Sequence, residues 1–97
     1  MDKDERLRLR AQAQKMPAAM NIGKSGLTAG VVEEVRRQLE EHRLLKVKLL
    51  PSAREERASK EVAEELAERA EAELVEVRGH TAVLWRAGRR KRAPARS

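Results

Sequence analysis

Between residues 28 and 42 apolar side chains return at every fourth position: Val31, Val35 and Leu39, with Val32 beside them. That spacing predicts a helix from Thr28 to about His42, buried along one stripe. From Leu44 to Leu50 the period drops to two. Leu45, Val47 and Leu49 fall on one side and Lys46 and Lys48 on the other, the mark of a half-buried strand. Pro51 stops it. Helical spacing then resumes with Ala58, Val62, Leu66 and Ala70, flanked by Ala63 and Ala67. Ser52-Ala53-Arg54-Glu55 has capping-box spacing, so this helix is expected to start there and to run to about Ala72.

Leu74 to Arg78 and Thr81 to Arg86 read as two strands, with Gly79-His80 as a two-residue hairpin turn. Such a turn sets Val77 opposite Ala82 and Val75 opposite Leu84, all on the helix-covered face, with Leu74 and Trp85 on the other. Near the amino terminus, Asp4 to about Met16 is rich in good helix formers. Leu9 and Ala13 share one face, with Met16 a turn further on; Lys3, Arg6 and Arg10 share another. Pro17 ends this helix, because a residue before proline avoids the helical region. Ala18 to Ile22 reads as a short strand.

The predicted order is therefore α-β-α-β-α-β-β, an α/β sandwich around a four-stranded mixed sheet. Its first two strands flank a helix and run parallel. Residues 1–88 form one domain, and 89–97 form a basic tail. On outer helix faces, Glu33 can pair with Arg37 and Arg36 with Glu40. Glu61, Glu64, Glu65 and Glu68 make the third helix acidic outside.

Charge narrows the class of partner. Lys and Arg number 22 against 16 Asp and Glu, a formal net charge of +6. That favours a polyanion, with nucleic acid ahead of an anionic membrane. The absence of cysteine excludes disulfides and thiolate chemistry. No apolar run suits a membrane span, and the charged start lacks a signal-peptide core, so a cytoplasmic location is expected. One Trp, with no Phe or Tyr, argues against readers that stack bases on several aromatic rings. Trp85 itself is either a stacking platform or a packing residue.

Catalytic chemistry is not legible. His42 and His80 lie far apart, with no metal-ligand spacing around either. Ser25 has no acid or histidine near it in sequence. The expectation is a protein that is not an enzyme, with no metal, no cofactor and no small-molecule substrate.

The stretch that stands out is Gly23-Lys24-Ser25-Gly26, between the first strand and the second helix. Glycines allow a sharp turn and a close backbone approach. Thr28 can cap the helix that follows. A loop of this kind at a helix start can receive an anion, phosphate above all. It is not a Walker A loop, because Leu27 and not Lys follows Gly26, and it is not G-x-G-x-x-G. By itself the pattern, short and common, more often marks a plain strand-to-helix turn than a site.

Its setting adds a resemblance. Leu7-Arg8, Ala11-Gln12, Pro17, Ile22 through Thr28, Gly30-Val31, Leu39 through His42, and Leu44 through Lys48 follow in one order. Val75 through Thr81 and Val83 through Arg86 close it. This pattern resembles the CRM domain (chloroplast RNA splicing and ribosome maturation), most of all its stand-alone prokaryotic form, over about residues 6–86. The departures are Gln12 and Trp85, where histidine and tyrosine are common, and the segment from Pro51 to Glu55.

The resemblance implies a fold like the C-terminal domain of translation initiation factor three. It also implies RNA binding through a G-x-x-G loop likened to that of KH domains. Carried onto this chain, the loop role falls on Gly23, Lys24, Ser25 and Gly26. Arg6, Arg10 and Lys15 of the first helix would add phosphate contacts, with Lys46, Lys48, Arg89 and Arg90 as further cations. The expected partner is RNA, ribosomal RNA of a large-subunit precursor, bound by a monomer. The alternatives are an intron or other structured RNA, or an acidic protein partner.

Overall fold

The computed structural model describes residues 2–51 and 58–86. Helix α1 spans Lys3–Gln14 and is capped by Asp2, whose carboxylate accepts from the Glu5 amide at 2.8 Å. Strand β1 is Met20–Ile22, α2 is Ala29–His42 and β2 is Leu44–Leu49. Helix α3 is Ser59–Arg69, followed by β3, Glu73–Arg78, and β4, Thr81–Trp85. The expected order of elements holds throughout. The expected capping box at 52–55 lies outside the described residues. Ala58, placed by its spacing on the buried stripe, is the exposed N-cap of α3 as described.

The sheet order is β1-β2-β4-β3. Strands β1 and β2 are parallel across the α2 connection; β2–β4 and β3–β4 are antiparallel. Helices α2 and α3 cover one face. There Val35 and Leu39 meet Leu45, Val47 and Leu49 of β2, Leu66 of α3 and Leu84 of β4. Helix α1 covers part of the other face, where Ala13 is buried with Leu44, Val75 and Val83, against Leu9, Met16 and Trp85. Strand β2 is thus lined on both faces. Trp85 is a packing residue under α1, half-buried.

The hairpin closes as the sequence implies: Gly79 takes φ +59°, and Arg78 faces Thr81 across a two-residue turn. Its tip reaches α3, with Ser59 Oγ and His80 Nδ1 3.0 Å apart. The register further along differs from expectation. Val77 does pair with Ala82, but Leu84 faces Leu74, because a bulge between Leu74 and Glu76 inserts Val75 as an extra residue. An inserted residue shifts the alternation by one. Leu74 therefore packs with the α2–α3 core, and Val75 is buried under α1.

Ion pairs on α2 also differ. Arg37 meets Glu34 through Nε at 3.2 Å and Nη2 at 2.6 Å, and approaches Glu41 at 3.5 Å. Arg36 turns instead to Glu71 at 3.5 Å, and Glu40 to Arg86 at 3.9 Å. The two-pronged fit of a guanidinium on a carboxylate favours Glu34 over Glu33 for Arg37.

Candidate nucleic-acid interface

The G-x-x-G segment is a tight turn between the end of β1 and the start of α2. The Gly26 amide donates to the Gly23 carbonyl at 2.9 Å, and Gly26 has φ +70°. A side chain rarely adopts that conformation, although nothing lies within 4 Å of where a Cβ would stand. The glycine is needed here for backbone angle, not for space. The turn leaves Lys24 and Ser25 exposed at its tip.

Two anchors fix the turn. Leu27 packs half-buried against the α2–α3 core, and its carbonyl accepts from Arg69 Nη1 at 2.8 Å. Thr28 is the N-cap: its Oγ1 accepts from the Val31 amide at 3.1 Å. The first turn of α2 contains no acidic residue. The partial positive charge of the helix start is therefore not offset by a local carboxylate. An exposed lysine, a hydroxyl and a helix start converge on one short loop, an arrangement suited to an oxyanion.

The other expected cations divide into two sets. Lys15 at the end of α1 and Lys48 on β2 are exposed. Arg6, Arg10 and Lys46 are engaged within the fold. Arg6 Nη1 donates to the carbonyls of Leu74 at 3.0 Å and Val75 at 2.6 Å, clamping the bulge. Arg10 Nε lies 2.8 Å from Glu76 Oε1 with its N–H off the line between them, so that contact is chiefly coulombic. Lys46 Nζ donates to the carbonyls of Ala13 at 3.1 Å and Met16 at 3.0 Å, at the end of α1. A cation there also complements the negative end of the helix. The basic face of α1 is thus turned in part against the edge strand β3. Arg89 and Arg90 lie outside the described residues.

A further exposed cation, not among those expected from the sequence, is Arg78 at the end of β3, whose side chain is 61% exposed. The available signal was its place beside the Gly79-His80 turn, in register with Thr81. Among the described residues no group of three or more His, Asp or Glu side chains could hold a metal ion. Nor is any helix among them long and apolar enough to cross a membrane.

Comparison with known proteins adds the lineage. Residues 1–86 match the family model for the CRS1 / YhbY (CRM) domain. The chain is 41% identical over 78 residues to probable RNA-binding protein MJ0652 of Methanocaldococcus jannaschii, covering 80% of this chain and 58% of that one. It therefore spans little more than half the length of that relative. It is 30% identical over 78 residues to probable RNA-binding protein YqeI of Bacillus subtilis, covering 80% of this chain and 79% of the relative. SAV1595 of Staphylococcus aureus, solved in solution as a candidate RNA-binding protein, superposes with a TM-score of 0.73 at 30% identity. That match covers 89% of this chain and 88% of the other.

Proposed function

The chain belongs to the CRS1 / YhbY (CRM) domain family, and from that premise we propose that it binds RNA, with the Gly23–Gly26 turn as its backbone-binding loop. The observation that carries this reading is the exposed Lys24-Ser25 tip, held at the start of α2 by a left-handed Gly26 and the Thr28 cap. Lys24 supplies charge, Ser25 a hydroxyl and the helix start its amides. Phosphate contacts of this kind give affinity and position more than sequence choice. Lys15 and Lys48 extend the cationic surface. Arg6, Arg10 and Lys46 act through the fold, by holding α1 to the sheet.

The RNA in this reading is ribosomal RNA of the large subunit during its assembly, and the protein acts as a non-catalytic monomer. The basic balance of the chain and its shortage of aromatic rings suit a structured RNA met at its backbone.

Two measurements test it. A Lys24→Asp, Ser25→Asp chain puts two carboxylates at the exposed tip, and its affinity for a large-subunit RNA fragment should fall by roughly tenfold or more at low salt. Binding equal to the parent would remove the loop from the interface. Crosslinking in cells, followed by sequencing of the attached RNA, should enrich large-subunit precursors. Enrichment of introns would redirect the reading, and protein partners retained after nuclease treatment would favour the acidic-partner alternative.

A further inference from the structure

Helix α1 covers only part of its sheet face. Its reach ends at the row formed by Lys46, Val83 and Glu76, which are in register across β2, β4 and β3. In that row Lys46 is bonded to the carbonyls of Ala13 in α1 and Met16 just past its end, and Glu76 is held by Arg10. The next row on the same face is Asn21, Lys48, Thr81 and Arg78, paired in register across all four strands. Asn21, Lys48 and Arg78 are exposed and Thr81 is half-buried.

This row has a definite chemistry. Two cations alternate with two neutral side chains that can both donate and accept hydrogen bonds. It contains no carboxylate. The nearest, Glu76, stands 3.7 Å from Arg78 Nε and is already balanced by Arg10. At the spacing of neighbouring strands the row is roughly 14 Å long. It begins at Asn21, two residues before Gly23, so it is continuous with the loop. A recess of about 90 Å³ lies between Gln14 of α1 and this row. That is well below the roughly 300 Å³ of a pocket for a drug-sized ligand, and the row carries no aromatic ring on which a base could stack. The row therefore offers groups to a sugar-phosphate backbone rather than a socket for a base.

We propose that this row is a second RNA subsite, which receives the strand as it leaves the loop. Lys48 and Arg78 meet phosphates, and Asn21 and Thr81 bond ribose 2′-hydroxyls, the group by which a protein tells RNA from DNA. The assignment rests on the reading of the Gly23–Gly26 turn as RNA-binding, and the experiment separates the two.

A labelled single-stranded RNA of mixed sequence and the DNA of the same sequence are titrated by fluorescence anisotropy over a range of potassium chloride concentrations. Lys48→Ala with Arg78→Ala should weaken RNA binding about tenfold and lower the salt slope by roughly 1.4, the value for two phosphates on a single strand. Asn21→Ala with Thr81→Val should leave the salt slope unchanged and reduce the preference for RNA over DNA severalfold. Circular dichroism melting checks the fold, and Lys48→Gln with Arg78→Gln serves as a second charge-removing pair.

If the Lys48 and Arg78 changes keep the parent's affinity and slope while Lys24→Asp, Ser25→Asp binds weakly, the row is overturned and the loop reading stands. An unchanged preference for RNA in the Asn21 and Thr81 chain overturns the 2′-hydroxyl assignment. A parent chain that binds neither this single strand nor the large-subunit RNA fragment overturns both readings, and one that binds the fragment but not the single strand overturns the row while the loop reading stands.

Discussion

Arg6 donates to two carbonyl oxygens at the β3 bulge, and that decides what its removal would do. Arg6→Ala removes both part-buried hydrogen bonds, at a cost of about 1–3 kcal/mol. Urea unfolding should show that loss, while RNA affinity measured on the folded fraction stays near the parent's. Lys24→Ala should show the reverse: stability unchanged and affinity reduced. Glu34 makes the second residue-scale case. Hydrogen bonds from Arg37, and then from Gln38, hold its carboxyl well below the usual 4.5, at about 2. The same contact with Glu34 raises Arg37. A carboxyl depressed on folding adds stability that is complete above its unfolded value and is lost as pH falls through the folded one. Melting temperatures of the parent and of Glu34→Gln should therefore differ at neutral pH and converge as pH drops from 4.5 towards 2. A gap that stays constant over that range would show that Glu34 contributes packing and not charge.

At the scale of elements, the turn and helix α2 form one unit. Thr28→Ala removes the cap on the Val31 amide and should cost about 1 kcal/mol. Gly26→Ala places a side chain at φ +70° with open space around it. Its cost of about 1–2 kcal/mol comes from backbone angle alone. Chemical denaturation measures both. A Gly26→Ala chain as stable as the parent would mean that the turn has relaxed to another conformation, and amide exchange at Ser25 to Thr28 would reveal it. The bulge in β3 is the other element-scale device. It turns Val75 under α1 at the place where Arg6 binds the strand, so strand and helix are fitted to one another at the same point.

In the whole molecule two apolar layers share the sheet. The larger lies between the sheet and helices α2 and α3; the smaller lies under α1 and contains Trp85, the chain's single tryptophan. Leu66 is fully buried in the larger layer, and Leu66→Ala should cost about 2–5 kcal/mol. Unfolding followed by Trp85 fluorescence reports on the α1 layer, while far-ultraviolet circular dichroism reports on all the helices. The two midpoints should coincide and shift together in Leu66→Ala, because both layers are built on the same strands. Separate midpoints would mean that α1 undocks before the rest.

The order of elements, the hairpin and the α2 cap were legible in the sequence because their signals are local: repeats of four and two, a Gly-X turn, a threonine before an apolar stripe. The loop was legible for the same reason, since its glycines, lysine and serine are contiguous. Three things needed the tertiary structure. Leu74 and Val75 exchange faces because a bulge depends on how a whole strand fits its neighbour and the helix above it. Arg6, Arg10 and Lys46 lie within the fold because long cationic side chains reach partners that are up to 69 residues away in sequence. The row from Asn21 to Arg78 exists only across strands, assembled from four segments whose register no single segment specifies. Local period determined the pieces of this protein; the pairing of strands decided which of its charges face outward.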